Sequence, residues 1–191
     1  HTDYHYAKND WGITRYPFVG GHEIIGVIKG LGEEVKDFNL GDRVAVGCFV
    51  NSCRNCNSCN NDFEQYCTEG LIKTYNDLIS DPGGHTFGGY SKSIVVDEHF
   101  VFSIPKNLNS AGAAPLLCAG ITTYSPLNHW QVNEGMSVGV IGLGGLGHMA
   151  VKFSSALKAK TVVFTTTEKK SEDALRLGAD QVVLSIDEEQ M

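Results

Sequence analysis

The sequence predicts an α/β-plus-β protein, a mostly β first part followed by a βαβαβ unit, half of a doubly wound parallel sheet. Two observations carry this. Residues 136–147, MSVGVIGLGGLG, run from apolar residues through glycines into a helical pattern. The first hundred residues show short apolar runs broken by glycine and no helical periodicity. With 191 residues the chain has room for one good core or two small ones. Hydrophobic content of 42% and charged content of 19% describe a globular protein, not a disordered one. A net charge of −7 with no basic block argues against a nucleic-acid binder. No apolar run approaches membrane-spanning length and no signal peptide is visible. The chain opens on His1 and stops in the acidic run 187–189, so both ends read as cut.

His1-Thr2-Asp3-Tyr4-His5 is a dense polar cluster that reads, on these residues alone, as a solvated, frayed terminus. Ile24, Ile25, Val27 and Ile28 then form a strand, with His22 and Glu23 at its entrance beside Gly20-Gly21. A lone histidine is more often structural than a ligand, so His22 needs a partner to mean more. Residues 33–42 make a polar turn, and Arg43 to Gly47 a further strand. Asp81-Pro82-Gly83-Gly84 and Gly88-Gly89 are turn signals, and residues 90–101 alternate well enough for strands. Ser110 is placed to cap a small, apolar helix over residues 111–124, in which Cys118 reads as a buried small hydrophobe.

Cys53, Cys56, Cys59 and Cys67 have the spacing C-x2-C-x2-C-x7-C. One loop with that spacing can wrap four thiolates around zinc, about 2.3 Å from each sulfur. Disulfides fit poorly, because three cysteines so close together invite mispairing. An iron–sulfur cluster is the better rival. Bacterial ferredoxins use C-x2-C-x2-C-x3-C-P, but here the last gap is longer and no proline follows Cys67. Cys48, just upstream, is surplus to the four and reads as a buried, inert thiol.

Val138, Val140 and Ile141 suit a buried parallel strand. In the loop Gly142-Leu143-Gly144-Gly145-Leu146-Gly147, the glycines at 142, 144 and 147 match G-x-G-x-x-G. The first permits a tight turn, the second lets a pyrophosphate approach the backbone, and the third lets helix pack on strand. Met149, Phe153 and Leu157 mark one face of the helix that follows, its N-terminus aimed at the phosphates. Residues 160–165 give a second strand, 171–177 a short helix with Ser171 as candidate cap and Gly178 as its stop, and 181–186 a third strand. An NAD site of this type places an acid at the end of the second strand. Here that strand ends in Thr165-Thr166-Thr167, with Glu168 only afterwards and Lys170 near. Hydroxyls and a cation in place of the acid favour NADP, because they can meet a 2′-phosphate.

Taken in order, GHE at 21–23, the cysteine lobe at 53–67, PLLCAGITTYSPL at 115–127 and GLGGLG at 142–147 resemble the zinc-dependent medium-chain alcohol dehydrogenases. The nearest likeness is to the cinnamyl-alcohol and mannitol dehydrogenase branch, which uses NADP. The resemblance implies a GroES-like β-barrel catalytic domain over residues 1–122 and the first half of a Rossmann domain over 123–191. It makes His22 and Cys118 ligands of a catalytic zinc, and Cys53, Cys56, Cys59 and Cys67 those of a structural zinc. In family members a further cysteine ligand directly precedes His-Thr-Asp, and this sequence begins at that histidine, which reads as a fragment expected to be inactive alone.

By the same likeness, Thr2 bonds the substrate oxygen and His5 is the outer end of a proton relay. Asp3 orients the histidine ligand, and Glu23 lies close enough to the metal to support its ligands or to serve as an alternative ligand. His1 lies near the pyrophosphate and Thr122 beside the nicotinamide. With NADP(H) and a small-molecule alcohol or aldehyde, the implied activity is hydride transfer in a cytoplasmic homodimer. Lys73 stands where lignin-forming members carry tryptophan, which argues against a strict cinnamyl-alcohol assignment. The alternative is a catalytically silent zinc and nucleotide-binding protein of the same fold.

Overall fold

In the computed structural model, residues 1–79, 84–187 and 189 are described; the expected turn at Asp81-Pro82-Gly83 lies outside them. The chain divides into two compact units, His1–Cys118 and Ala119–Met191.

The first unit opens with a helix, α1 (Thr2–Lys8), where the sequence pointed to a frayed end. Seven residues are too few to show periodicity, but tertiary contacts hold the turn in place. Tyr6 is buried and its ring meets Phe18 and Tyr75 at 6.0 and 5.2 Å between centroids. Asn9, in the left-handed region at φ 56°, ends the helix. Next, β1 (Ile24–Val27) pairs antiparallel with β2 (Arg43–Val46) in the register Ile24 opposite Val46. A second sheet joins β3 (Phe49–Asn51) to β4 (Ile72–Lys73), and β5 (Phe102–Ser103) completes the first sheet beside β2. Ala45 and Val46, 2% and 5% exposed, anchor the first sheet in its core.

The strands expected over residues 90–101 are mostly irregular. Ser91 turns that stretch on itself, its hydroxyl donating to the Gly88 and Ser93 carbonyls, and Val95 points fully into solvent. The expected helix of 111–124 is also broken. It starts as α2 (Ser110–Ala113), capped by Asn109 rather than Ser110, tightens to a 3-10 turn at Ala114–Leu117, and breaks at Cys118. Pro115 sits in that turn without an N–H to donate.

The second unit follows the sequence closely. Helix α3 (Ala119–His129) leads to β6 (Ser137–Ile141), α4 (Gly145–Ala156), β7 (Lys160–Thr165), α5 (Ser171–Leu177) and β8 (Gln181–Leu184). The strands are parallel in the order β6-β7-β8. Val151 and Val163 are fully buried against Val140, Leu143, Ala174 and Ala179. Each such valine contributes about 1.5–3 kcal/mol by leaving water. Ser171 caps nothing: a 3-10 turn at Glu168–Lys170 runs straight into α5. Gly178, at φ 111°, stops it as expected.

Candidate metal centres and nucleotide site

In the lobe at 53–67, two short 3-10 turns, Cys59–Asn61 and Glu64–Tyr66, curl the chain so that four sulfurs converge. All four Sγ atoms lie within 4.8 Å of one another; Cys56 to Cys59 is 3.5 Å and Cys53 to Cys59 is 3.9 Å. Tetrahedral zinc with 2.3 Å bonds requires sulfurs about 3.8 Å apart. No cysteine is bonded to another. Backbone N–H groups aim inward at the sulfurs, from Cys53 to Cys67 Sγ at 3.5 Å and from Cys56 to Cys53 Sγ at 3.3 Å.

Main-chain donors from Cys59 and Thr68 pull the Cys56 thiol down to about 5, and the Cys53 N–H pulls Cys67 down as well. Cys53 receives such bonds too, from Asn55 and Cys56, yet burial and its neighbours Cys67 and Cys56 push it up to about 11. Four sulfurs this close cannot all be thiolate without a cation between them, so the donor set fits zinc.

The second cluster gathers His22, Cys48 and Cys118, whose ligand atoms also lie within 4.8 Å of one another. Three elements deliver them. His22 precedes β1, Cys48 follows β2, and Cys118 ends the 3-10 turn that packs on Gly47. Cys48 Sγ lies 3.8 Å from the Leu117 carbonyl. Asp3 reaches this cluster from α1. Its Oδ1 accepts from the Gly21 N–H at 2.6 Å and pairs with His22 Nδ1 at 3.1 Å, which leaves Nε2 for a metal.

That pairing, followed by Cys118, lifts His22 to about 10. Burial opposes ionisation of Asp3, but the bonds from His22 and Gly21 outweigh it and hold its carboxyl below the usual range. The hydrogen bond from Cys48, then the one from His22, lowers Cys118 to about 4; the bond to Cys118, then burial, raises Cys48. A thiolate beside a second sulfur and a histidine oriented by a carboxylate is a donor set that zinc fits.

Cys48, read from sequence as an inert surplus thiol, therefore belongs to the cluster. The readable signal was register: continuing the pairing of Ile24 with Val46 by two residues sets His22 opposite Cys48 on the same face.

Among the other expected residues, His1 and Thr2 are exposed at the start of α1. His5 is half-buried, and its Nδ1 lies 2.8 Å from Asp10 Oδ2, a partner that sequence reasoning missed. Glu23 is exposed, and its charge is felt at Cys48. A recess of about 460 Å³ opens beside Asp3, walled by Tyr4, Phe18, Val19 and Tyr90. A larger one, about 550 Å³, lies beside the cysteine lobe. Among its charged walls, Lys73 is paired with Asp77 at 2.7 Å and Arg15 donates to the Asn76 carbonyl.

In the second unit, Thr122 is exposed on α3. Gly142, at φ 86°, makes the turn out of β6, and a Cβ at Gly147 would strike the Gly142 carbonyl oxygen. Around Gly144 and Gly145 the space is open, as a phosphate approaching the N-terminus of α4 requires. Leu143 is buried in the core, whereas Leu146 is exposed. Thr165 is only 5% exposed, and its hydroxyl oxygen accepts from the Thr167 N–H at 3.2 Å. Thr166, Thr167 and Lys170 face solvent.

Comparison with known proteins gives the family of this fold. The alcohol dehydrogenase GroES-like domain matches residues 1–106, and the chain belongs to that family. It is 52% identical over its whole length to a probable mannitol dehydrogenase of Fragaria ananassa, covering 53% of that protein. It is 54% identical to the NADP-dependent alcohol dehydrogenase C 1 of Mycolicibacterium smegmatis, with 99% of this chain and 54% of the relative aligned. Among solved structures, the cinnamyl alcohol dehydrogenase SbCAD4 of Sorghum bicolor superposes at TM-score 0.95 with 47% identity, over all of this chain and 54% of that one. The chain thus spans about half the length of the curated relatives it matches. Among the described residues, no helix is long and apolar enough to cross a membrane.

Proposed function

We propose that this chain is part of a zinc-dependent alcohol dehydrogenase that moves a hydride between a primary alcohol or its aldehyde and NADP(H). The observation that carries the reading is the His22–Cys118 cluster with Asp3 bonded to His22, in a chain 54% identical to an NADP-dependent alcohol dehydrogenase. His22 Nε2 and Cys118 Sγ would hold the ion, which supplies a Lewis acid toward the alcohol or aldehyde oxygen. Asp3 fixes the His22 ring so that its outer nitrogen stays available. Thr2 and His5 are the groups proposed to hand the alcohol proton to water, with Asp10 setting the His5 tautomer. Glu23 adds negative charge near the ion.

In the second unit, Gly142 to Gly147 and the first turn of α4 receive the pyrophosphate, with His1 as a further contact and Thr122 proposed beside the nicotinamide. Thr166, Thr167 and Lys170 take the 2′-phosphate. The four-cysteine lobe offers no open position and holds its zinc for stability alone. Residues 1–122 and 123–191 are the proposed catalytic and nucleotide-binding domains. Turnover is proposed for a protein of the relatives' length, as a cytoplasmic homodimer, and not for these 191 residues alone.

The test uses this chain completed with the flanking segments of the mycobacterial relative. Zinc-dependent oxidation of a primary alcohol should be supported by NADP with a higher kcat/KM than by NAD. His22→Ala should abolish it while one zinc per chain remains. Normal turnover in that variant, or preference for NAD, would overturn the corresponding half of the reading.

A further inference from the structure

We infer that Tyr75 is a positioning residue for the proposed metal site, acting on His22 through Asp3. The inference rests on the proposed reading of His22 as a metal ligand, and it holds whichever other side chains complete the coordination. Tyr75 lies just past β4 and is only 4% exposed. Its ring makes T-shaped contacts with three others, at 5.7 Å between centroids to His22, 5.2 Å to Tyr6 and 5.3 Å to Phe18. The backbone beside it is pinned near the end of β2, where the Thr74 N–H donates to the Cys48 carbonyl at 3.0 Å and the Thr74 hydroxyl to that of Gly47. One well-held side chain thus touches α1, the approach to β1 and the imidazole itself.

Asp3 gains a support that its other bonds do not give. Those from the Gly21 N–H and from His22 Nδ1 both end on Oδ1, and two bonds to one oxygen still let the carboxylate swing about that atom. The Tyr75 hydroxyl bonds the same carboxyl group, and the phenol donates while the carboxylate accepts. Backbone also crowds the group: at Gly20 a Cβ would lie 3.1 Å from Asp3 Oδ1. With three donors around it the carboxylate keeps one orientation. The His22 ring, held at Nδ1 and packed against the Tyr75 ring, then keeps Nε2 aimed at one point.

The rival role for Tyr75 is a core aromatic whose hydroxyl does nothing for the metal. Tyr75→Phe separates the two, since it keeps the ring contacts and removes only the donor. The experiment uses the chain completed with the mycobacterial relative's flanking segments, loads it with zinc, and measures the affinity of the His22 site by competition with a chelator. Tyr75→Phe should weaken that site by about 10-fold, the lower end of what losing a direct outer partner costs, while the lobe keeps its zinc and shows that the variant is folded.

The same substitution is then made in an Asp3→Ala background. A hydroxyl that acts through Asp3 has nothing left to orient there, so Tyr75→Phe should cause no further loss. An unchanged affinity in the single variant overturns the inference. So does an equal loss with and without the Asp3 carboxylate, which is what a purely structural role produces. His22→Ala tests the underlying reading separately. If that variant keeps both zinc ions, His22 is not a ligand and the inference falls with it; if it loses one while Tyr75→Phe changes nothing, only the role of Tyr75 falls.

Discussion

The two sulfur clusters are assembled by opposite means. Cys53, Cys56, Cys59 and Cys67 come from one loop, and closing that loop costs little chain entropy. His22, Cys48 and Cys118 come from the entrance of β1, the exit of β2 and a broken helix, and they meet only once the sheet has paired and the helix has packed. The first cluster is a property of local sequence; the second is a readout of the fold. Metal at the lobe should therefore govern the local stability of the lobe, while metal at the dispersed site should respond to anything that shifts three elements relative to one another.

The largest expected effect is on the lobe. Cys56→Ser should lose its zinc, and with it a binding free energy on the order of 10–16 kcal/mol that folds the loop. Metal analysis and limited proteolysis check this, with new cleavage expected within residues 53–67. Metal retained at full stoichiometry would remove the claim that the loop depends on its ion. His22→Ala comes next. It should empty the dispersed site while leaving lobe zinc and proteolytic resistance as they were; cleavage of the lobe in this variant would show that the two clusters are not independent.

Asp3→Asn is a finer cut. The amide can still meet the Gly21 N–H but no longer offers a full charge to His22, so the dispersed site should weaken by about 10–100-fold while the lobe is untouched. Competition with a chelator measures it, and unchanged affinity would mean that Asp3 serves only to dock α1.

The smallest effect is electrostatic. The hydrogen bond from His99, 2.7 Å away, holds the Glu64 carboxyl below its ordinary value of 4.5. A carboxyl depressed on folding stabilises above its unfolded pKa, and that contribution is lost as the pH falls through the folded one. With His99 exposed and Glu64 half-buried, it should amount to no more than about 1 kcal/mol. NMR titration of Glu64 should show a return toward 4.5 in His99→Ala. A Glu64 that titrates identically in both proteins would dismiss the contact.

The contrast between local and dispersed also explains what could be read from sequence. The four-cysteine lobe and the βαβαβ unit are written in spacing and period, and β7 falls on the very residues expected, 160–165. Helix α1 was invisible because its stability comes from Tyr6, Phe18 and Tyr75, far apart in sequence, and from Asp3 reaching Gly21. The break at Cys118 was missed because small apolar residues fit an unbroken helix equally well; what breaks it is Pro115 and packing on Gly47. His22 and Cys118 were singled out through the family likeness. Cys48 was passed over because its partner His22 lies on another strand, beyond the reach of spacing arguments.

Three identical side chains at the end of β7 have different duties. Thr165 faces inward, and its hydroxyl oxygen ties down the Thr167 amide; Thr166 and Thr167 stand in solvent. For anyone redesigning cofactor choice, the consequence is a matter of address. A carboxylate written at 165 would be buried without a cation and would undermine the strand before it met any ribose. The same carboxylate at 166 or 167 would repel the 2′-phosphate that these residues are proposed to receive. Tolerance to mutation along this triplet should therefore run opposite to its influence on the coenzyme, and a library that treats the three threonines as equivalent would spend a third of its variants on a folding defect.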